Sequence, residues 1–299
     1  MILVTGAGGF VGNRVVARLA EQQAHPRALV RSRDRAVAVL PASGVDIAVG
    51  DTTRPETLRA ALEGVDTVIH AAFVTANRKQ GPGVNYYATN VLGTRNLVSA
   101  AKAAGVRRIV VMGGLGTKSS RDRYLQGRYE ADEAVRTSGL AWSILGASVQ
   151  FGAGSAFIDG LVSLIRSAPV VPMIGDGKRQ FQPIWVEDVT TCLLAMAQQP
   201  AAYDGRVIEV GGPEILTYAQ ILDMLMAKLH TRKLKVPGPV PLAWLGAAGM
   251  ELVLPRPPVT RAAIGLFSFD NVTALDAVKS NFGFSPAAFS AYLAETPLT

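Results

Sequence analysis

Cysteine is almost missing from this chain: Cys192 is the one thiol in 299 residues. A single thiol allows no internal disulfide and supplies no metal-ligand spacing, so no metal centre is expected. Its neighbours Val189, Leu193, Leu194 and Met196 mark it as a buried structural group, compatible with a reducing cytoplasm. Charge is scarce too, at 18% of residues, which argues against long disordered tails. No basic stretch precedes an apolar one at the start, so no secretory leader is expected. The longest uncharged apolar stretch, Val236 to Met250, contains Pro237, Pro239 and Pro241. It falls short of the ~20 residues a spanning helix needs. Basic blocks interleaved with aromatics are lacking, since the arginines are scattered. A nucleic-acid partner is therefore not expected, even with a net charge of +7. Internal repeats and low-complexity tracts are absent as well.

What is present is a large apolar fraction, 49%, and 30 glycines. That suffices for a substantial core with many tight turns. Through the first half, strand and helix signals alternate. Strands are expected at Met1–Val4, Ala28–Val30, Val45–Val49, Thr67–Ala71, Arg108–Met112 and Leu140–Leu145. Helices fit between them, including Glu56–Leu62 behind Pro55, Asn90–Ala104 ending at Gly105, and Tyr124–Ser138 ending at Gly139. Such alternation implies an α/β fold, a Rossmann-type doubly wound parallel sheet with right-handed crossovers. Beyond about Gly152 the pattern changes. Helices at Phe157–Ser167, Val189–Gln198 and Tyr218–Leu229 and a strand at Val207–Val210 interleave with loops rich in Gly and Pro. The expected division is a cofactor-binding domain over 1–151 and a smaller C-terminal substrate-side region over 152–299. That region packs over the sheet edge, interleaved and not independent.

The strongest local signal is Thr5-Gly6-Ala7-Gly8-Gly9-Phe10-Val11-Gly12, placed between the first strand and its helix. Gly6 permits the tight turn, Gly9 lets backbone approach a pyrophosphate, and Gly12 lets helix and strand pack closely. The helix N-terminus beyond, with Phe10 and Val11, offers free N–H groups to phosphate. The second strand ends in Arg31-Ser32-Arg33-Asp34 where an acidic residue would bind an unphosphorylated ribose. Guanidinium groups suit a 2′-phosphate, so NADP(H) is the expected cofactor and NAD(H) the second choice. Two alternatives stand beside this: a merely solvated basic loop, or Asp34 turned inward to favour NAD. Asp51, followed by Thr52, either accepts the adenine amino group or caps a turn.

These motifs, with His70-Ala71-Ala72, Asn90-Val91-Leu92-Gly93-Thr94 and Pro183-Ile184-Trp185-Val186-Glu187-Asp188-Val189, resemble an extended or atypical short-chain dehydrogenase/reductase. The resemblance spans nearly the whole chain. The branch it is most similar to contains the nucleotide-binding accessory subunit of respiratory complex I and its bacterial relatives. Pro255-Arg256-Pro257-Pro258-Val259-Thr260 and Asp270-Asn271 carry that part of the likeness. The resemblance implies that His70 is structural and that Ala71, Ala72 and Phe73 line the cofactor. It implies that Asn90 lies beneath the cofactor, and that Ala147, Ser148 and Val149 approach the nicotinamide.

In that superfamily a Tyr-x-x-x-Lys pair works as the proton donor. The spacing puts both side chains on one helix face, and the lysine lowers the tyrosine pKa. Here the pair reads Tyr124 and Arg128. Arginine keeps the charge but presents a planar fork. Gly113 and Gly114 stand where a hydroxyl is wanted, with Thr117 the nearest one, and Gly146-Ala147 replaces Arg-Pro. Tyr124 therefore reads three ways: a working acid with Arg128, a cofactor-lining residue without chemistry, or an ordinary helix tyrosine. The eroded site favours a non-catalytic NADP(H)-binding or accessory subunit of a larger complex. The alternative is an NADPH-dependent reductase of a small carbonyl, with sugar-nucleotide epimerase or dehydratase chemistry a weaker variant. Finally, Leu242, Trp244, Leu245, Leu252, Val253 and Leu254 in 237–258 either pack on the substrate-side core or form an exposed patch. Such a patch would meet a protein complex or a membrane surface. The expected location is cytoplasmic, or peripheral on a membrane.

Overall fold

The computed structural model describes residues 1–81, 85–117, 122–255, 257 and 259–298. Its first half alternates strand and helix: β1 (Ile2–Thr5), α1 (Gly12–Glu21), β2 (Arg27–Val30), α2 (Arg33–Val37), β3 (Asp46–Val49), α3 (Leu58–Ala61), β4 (Thr67–His70), α4 (Gly93–Ala103), β5 (Arg108–Gly114), α5 (Arg123–Arg136) and β6 (Ala141–Ala147). Each of these strands lies within a residue or two of its expected place. The helix expected from Asn90 instead begins as a π-helix over Tyr87–Leu92 before α4 continues it. Gly105, in the left-handed region at φ +76°, follows the end of α4.

The strands join in the order β11-β6-β5-β4-β1-β2-β3, where β11 is Arg206–Val210, and every pairing in this seven-stranded sheet is parallel. The chain reverses direction of winding between β1 and β4, which opens a crevice beyond their C-terminal ends. Thr5 and His70 are register partners there. The sheet's two faces are packed separately. Val15, Val16 and Leu19 of α1 meet Val4, Ile69 and Val110 on one side. Leu97 and Ala101 of α4 meet Leu3, Val68 and Ile109 on the other.

The second half supplies β7 (Gln150–Phe151), α6 (Ala156–Ser167), β8 (Val171–Ile174), β9 (Gln180–Phe181), β10 (Ile184–Trp185), α7 (Val186–Gln198), α8 (Pro200–Tyr203), β12 (Leu216–Thr217), α9 (Tyr218–Lys228), β13 (Lys235–Gly238), α10 (Val240–Val253), α11 (Arg261–Gly265), α12 (Ala277–Phe282) and α13 (Phe289–Glu295). Strands β7 to β10, β12 and β13 pair two by two in three small sheets, too short to leave a periodic trace in the sequence. A further core of Phe151, Phe181, Tyr218, Phe267 and Phe289 forms around them. Helix α7 belongs to the first body: Val189, Cys192, Leu193 and Met196 pack with the sheet core. Burial there pushes the Cys192 thiol pKa upward. The proline-bounded segment is split. Ala247 of α10 is buried, and Ala243 and Met250 rest on the second core. Leu242, Leu245, Leu252 and Val253 face out. Arg256 and Pro258 lie outside the described residues. Among the described residues, no helix is long and apolar enough to cross a membrane.

Candidate active site

The glycine loop is built by close backbone approach. Gly6 sits at φ +66°, and a Cβ there would fall 2.5 Å from the Ala71 carbonyl oxygen. A Cβ on Gly12 would fall 2.2 Å from the Gly6 carbonyl oxygen, so only glycine lets α1 start against the β1 turn. Gly9 donates its N–H to that same oxygen at 2.8 Å. Val11, the N-cap of α1, offers no side-chain cap. The loop is braced from behind: Arg14 donates to the Phe10 carbonyl at 2.6 Å and to Glu187 of α7 at 2.9 Å, and Arg18 reaches the same carboxylate at 3.0 Å.

Two hollows meet at this loop. One, of about 450 Å³, is walled by Gly6, Gly9, Arg31, Ser32, Asp51 and Thr52, with Ala71, Ala72 and Phe73 closing it. Arg33 is not among its lining residues. Its Nη2 donates to the Ile47 carbonyl at 3.0 Å, because α2 opens at Arg33 and turns that side chain back toward β3. Arg35, unremarked in the sequence, lines the hollow with Arg31. Asp34 is exposed and does not line it. Asp51 lines the wall while its Oδ1 accepts from the Thr53 N–H and hydroxyl, each at 2.8 Å, so the turn-capping role is filled. Thr52 is buried against Gly93, where a Cβ would come within 2.8 Å of its Oγ1.

The second hollow, of about 300 Å³, shares Gly9, Ala71 and Phe73 with the first. It adds Phe10, Val11, Tyr124, Arg128, Ala147, Ser148 and Val149. Arg128 is the sole charged side chain lining it among the described residues. Its guanidinium lies 3.5 Å from the Phe73 ring centre and donates to the Met112 carbonyl at 2.5 Å. Tyr124 packs edge-on against Tyr86 at 5.1 Å between ring centres. Burial raises its hydroxyl pKa above the ordinary tyrosine value, a rise that Arg128 and a backbone hydrogen bond from Ala76 only partly oppose. Thr117 lines the same hollow as Tyr124. A Cβ on Gly113 would strike Ile144 at 2.8 Å, whereas one on Gly114 would meet only the Thr117 methyl at 3.3 Å.

Several flagged residues serve the walls. The Asn90 side-chain amide accepts from the Val74 N–H at 2.8 Å and donates to the Val74 carbonyl at 3.0 Å, so it holds the loop that carries Phe73. It borders neither of the two hollows described. His70 is fully buried, with Nδ1 2.7 Å from the Thr5 hydroxyl and Nε2 2.9 Å from that of Thr94. Thr94 donates its proton to the Asn90 carbonyl, so Nε2–H donates to Thr94 and Nδ1 accepts from Thr5. Burial, reinforced by the Arg128 charge, holds the His70 pKa down at about 3. The Ser148 hydroxyl donates to Asn271 Oδ1 at 2.7 Å, and the Val149 N–H reaches that same atom at 3.1 Å. Asn271 thus ties the end of β6 to the C-terminal region. The sequence marked it only as a point of family likeness.

With this geometry in view, the family model described as NAD(P)H-binding matches residues 6–149. An NAD(P)H azoreductase of Xenophilus azovorans is 31% identical over 233 residues, 76% of this chain and 73% of its own length. A ceramide reductase of Caulobacter vibrioides is 30% identical over 67% of this chain, and the match spans 62% of that protein. Subunit 9 of the mitochondrial NADH dehydrogenase [ubiquinone] 1 alpha subcomplex of Arabidopsis thaliana is 23% identical over 91% of this chain and 68% of its own length. Among solved structures, the NADPH-dependent quinone oxidoreductase QOR2 of Escherichia coli, complexed with NADPH, superposes with a TM-score of 0.77 at 19% identity, covering 98% of this chain and 99% of that one.

Proposed function

The chain belongs to the extended and atypical short-chain dehydrogenase/reductase superfamily through its NAD(P)H-binding domain, and from that premise we propose that it holds NADP(H) without running the superfamily's tyrosine–lysine proton relay. One observation carries the reading: the cation beside Tyr124 is already spent. The Arg128 guanidinium is stacked on Phe73 and bonded to Met112, and the Tyr124 pKa is raised where a relay needs it lowered. The diphosphate lies on Gly6, Gly9, Phe10, Val11 and Gly12, at the uncapped start of α1. Arg31 and Arg35 receive the 2′-phosphate, and Asp34 lies outside the lining of that hollow. Residues 1–151 form the cofactor half and 152–299 the substrate-side half. The likeness to a respiratory-complex subunit supports an accessory role in a larger assembly or at a membrane, engaged through 237–258.

The test is purification with bound nucleotide, followed by titration and turnover. NADPH is expected to co-purify, and Arg31→Ala with Arg35→Ala is expected to weaken NADPH about tenfold or more while leaving NADH unchanged. Equal affinity of the wild type for both nucleotides refutes the 2′-phosphate assignment. Carbonyl turnover abolished by Tyr124→Phe refutes the idle relay.

A second reading is favoured by the lining of the 300 Å³ hollow, which among the described residues carries no charge apart from Arg128 and includes Phe10, Leu115, Leu125, Val149 and Phe157. It suits hydride transfer to an uncharged, flat acceptor that takes its proton from water and so needs no protein acid. A quinone and an azo dye, with Tyr124→Phe retaining the wild-type rate, are the substrates and outcome that support it.

A further inference from the structure

A third arginine borders the cofactor hollow and belongs to no sequence motif. Arg78 lines it together with Arg31 and Arg35, and among the described residues Asp51 is the one acid on that wall. Asp51 is itself engaged, since its Oδ1 accepts from the Thr53 N–H and hydroxyl. Arginines elsewhere are spent on partners within the chain: Arg14 and Arg18 on Glu187, Arg27 on Asp46, and Arg33 on the Ile47 carbonyl. Among the described residues, no ion pair or side-chain hydrogen bond engages Arg31, Arg35 or Arg78. Like charges gathered at one hollow repel each other, and an anion bound among them removes that cost.

Topology brings Arg78 in from a different quarter than the other two. In the sheet, β1 lies between β2 and β4. Arg31 and Arg35 follow β2, the glycine turn follows β1, and Arg78 sits on the segment that follows β4. That segment starts against the glycine turn, where the Ala71 carbonyl closes on Gly6. Gly6, Gly8 and Gly9 border the same hollow and lie, in strand order, between the two sources of positive charge. The group that a dinucleotide lays on such a turn is its diphosphate. Four anchors hold the segment. Asn90 bonds the Val74 backbone, and the Thr260 hydroxyl donates to the Ala76 carbonyl. The Tyr86 hydroxyl donates to the Arg78 carbonyl, and Lys79 Nζ donates to the Leu254 carbonyl at 3.3 Å. The Arg78 N–H closes a turn onto the Thr75 carbonyl at 3.0 Å. A backbone fixed at so many points has little ordering entropy left to lose when its side chain takes a ligand.

We infer that Arg78 binds the dinucleotide's diphosphate from the β4 side, complementing the backbone N–H groups of the glycine turn, and that Tyr86 positions it. The inference rests on the NADP(H) reading and gives Arg78 a duty separate from that of Arg31 and Arg35. Those two receive a phosphate found only on NADP(H). Arg78 receives the group that NADP(H) and NAD(H) share. A planar guanidinium suits it, because paired N–H donors match two phosphate oxygens.

Titration calorimetry of the full chain with NADPH, NADH, ADP and adenosine 2′-monophosphate tests this. Arg78→Ala is expected to weaken NADPH, NADH and ADP by a similar factor, about tenfold, and to leave adenosine 2′-monophosphate unchanged. Because the Arg78 side chain is exposed, the variant without nucleotide is expected to melt with the wild type. Tyr86→Phe is expected to give the same pattern to a smaller degree, and to add nothing once Arg78 is already alanine. A loss confined to NADPH and adenosine 2′-monophosphate overturns the proposal, since Arg78 would then read the 2′-phosphate. Unchanged affinity for all four ligands overturns it as well. Additive losses in the double variant overturn the positioning role of Tyr86. A wild type that binds neither NADPH nor NADH sinks the cofactor reading itself, whereas a wild type that binds them no better than Arg78→Ala sinks the diphosphate contact alone.

Discussion

At the residue scale, two buried groups off the nucleotide wall set opposed pH responses. His70 falls from its ordinary 6.5 to about 3, mainly because burial penalises the imidazolium. Folding therefore favours its neutral form. Its contribution is complete above about pH 6.5 and is lost as pH falls toward 3, at about 1.4 kcal/mol per pH unit. Asp132, one turn beyond Arg128 on α5, moves the other way, from 3.8 to about 6, again through burial. Its Oδ1 has no hydrogen-bond partner among the described residues. Folding favours its protonated form, so its contribution is present below about pH 4 and lost as pH rises through 6. Between those limits the two slopes offset each other. Urea unfolding across that window is expected to show His70→Asn gaining stability on acidification relative to wild type, and Asp132→Asn losing it. Parallel curves for all three proteins would exclude these assignments. Neither response was visible in the sequence, because both follow from burial in the folded chain and not from residue type. The same applies to Arg33 and Arg35: a basic cluster was legible, but which guanidinium faces the hollow depends on where α2 begins.

At the scale of elements, the β1–α1 turn was the most legible part of the protein. Its glycine spacing answers to contacts of 2.5 and 2.2 Å that no side chain can enter at Gly6 and Gly12, and to a tight 3.0 Å approach at Gly9. Gly12→Ala is expected to force α1 off the turn, abolish NADPH binding and cost more than about 2 kcal/mol in chemical denaturation. Gly8→Ala, whose Cβ would meet nothing nearer than Val39 at 3.7 Å, serves as the tolerated control for folding. The start of the α4 helix was legible only as helix. Its π-helical opening coincides with Asn90, whose side chain is locked to the Val74 backbone, a long-range constraint that helical periodicity does not encode. Asn271 is a similar case. Alanine there strands the Val149 N–H and leaves the Ser148 hydroxyl only the backbone carbonyl of residue 271, at 3.0 Å. A loss of about 1–3 kcal/mol, with weakened nicotinamide-side binding in NADPH fluorescence, is the expected result.

At the scale of the whole molecule, the second half of the chain completes the sheet of the first. Strand β11 pairs with β6 from Arg206↔Ser143 to Val210↔Ala147, and α7 covers the sheet face with Val189, Leu193 and Met196. A fragment ending at residue 151 is expected to aggregate, because β6 becomes a bare seven-residue edge and the face under α7 meets water. A monodisperse, NADPH-binding fragment in gel filtration would contradict this. The parallel sense of the first six strands and the dinucleotide loop were determined by the sequence alone, since hydrophobic period, glycine spacing and short crossovers are local properties that leave few topologies open. Only the tertiary structure decided that Arg128 is occupied, that Arg35 replaces Arg33 at the hollow, and that one face of α10 is bare. Each of these depends on which groups from distant parts of the chain arrive at the same place, and burial, pKa and exposure are set by that arrival.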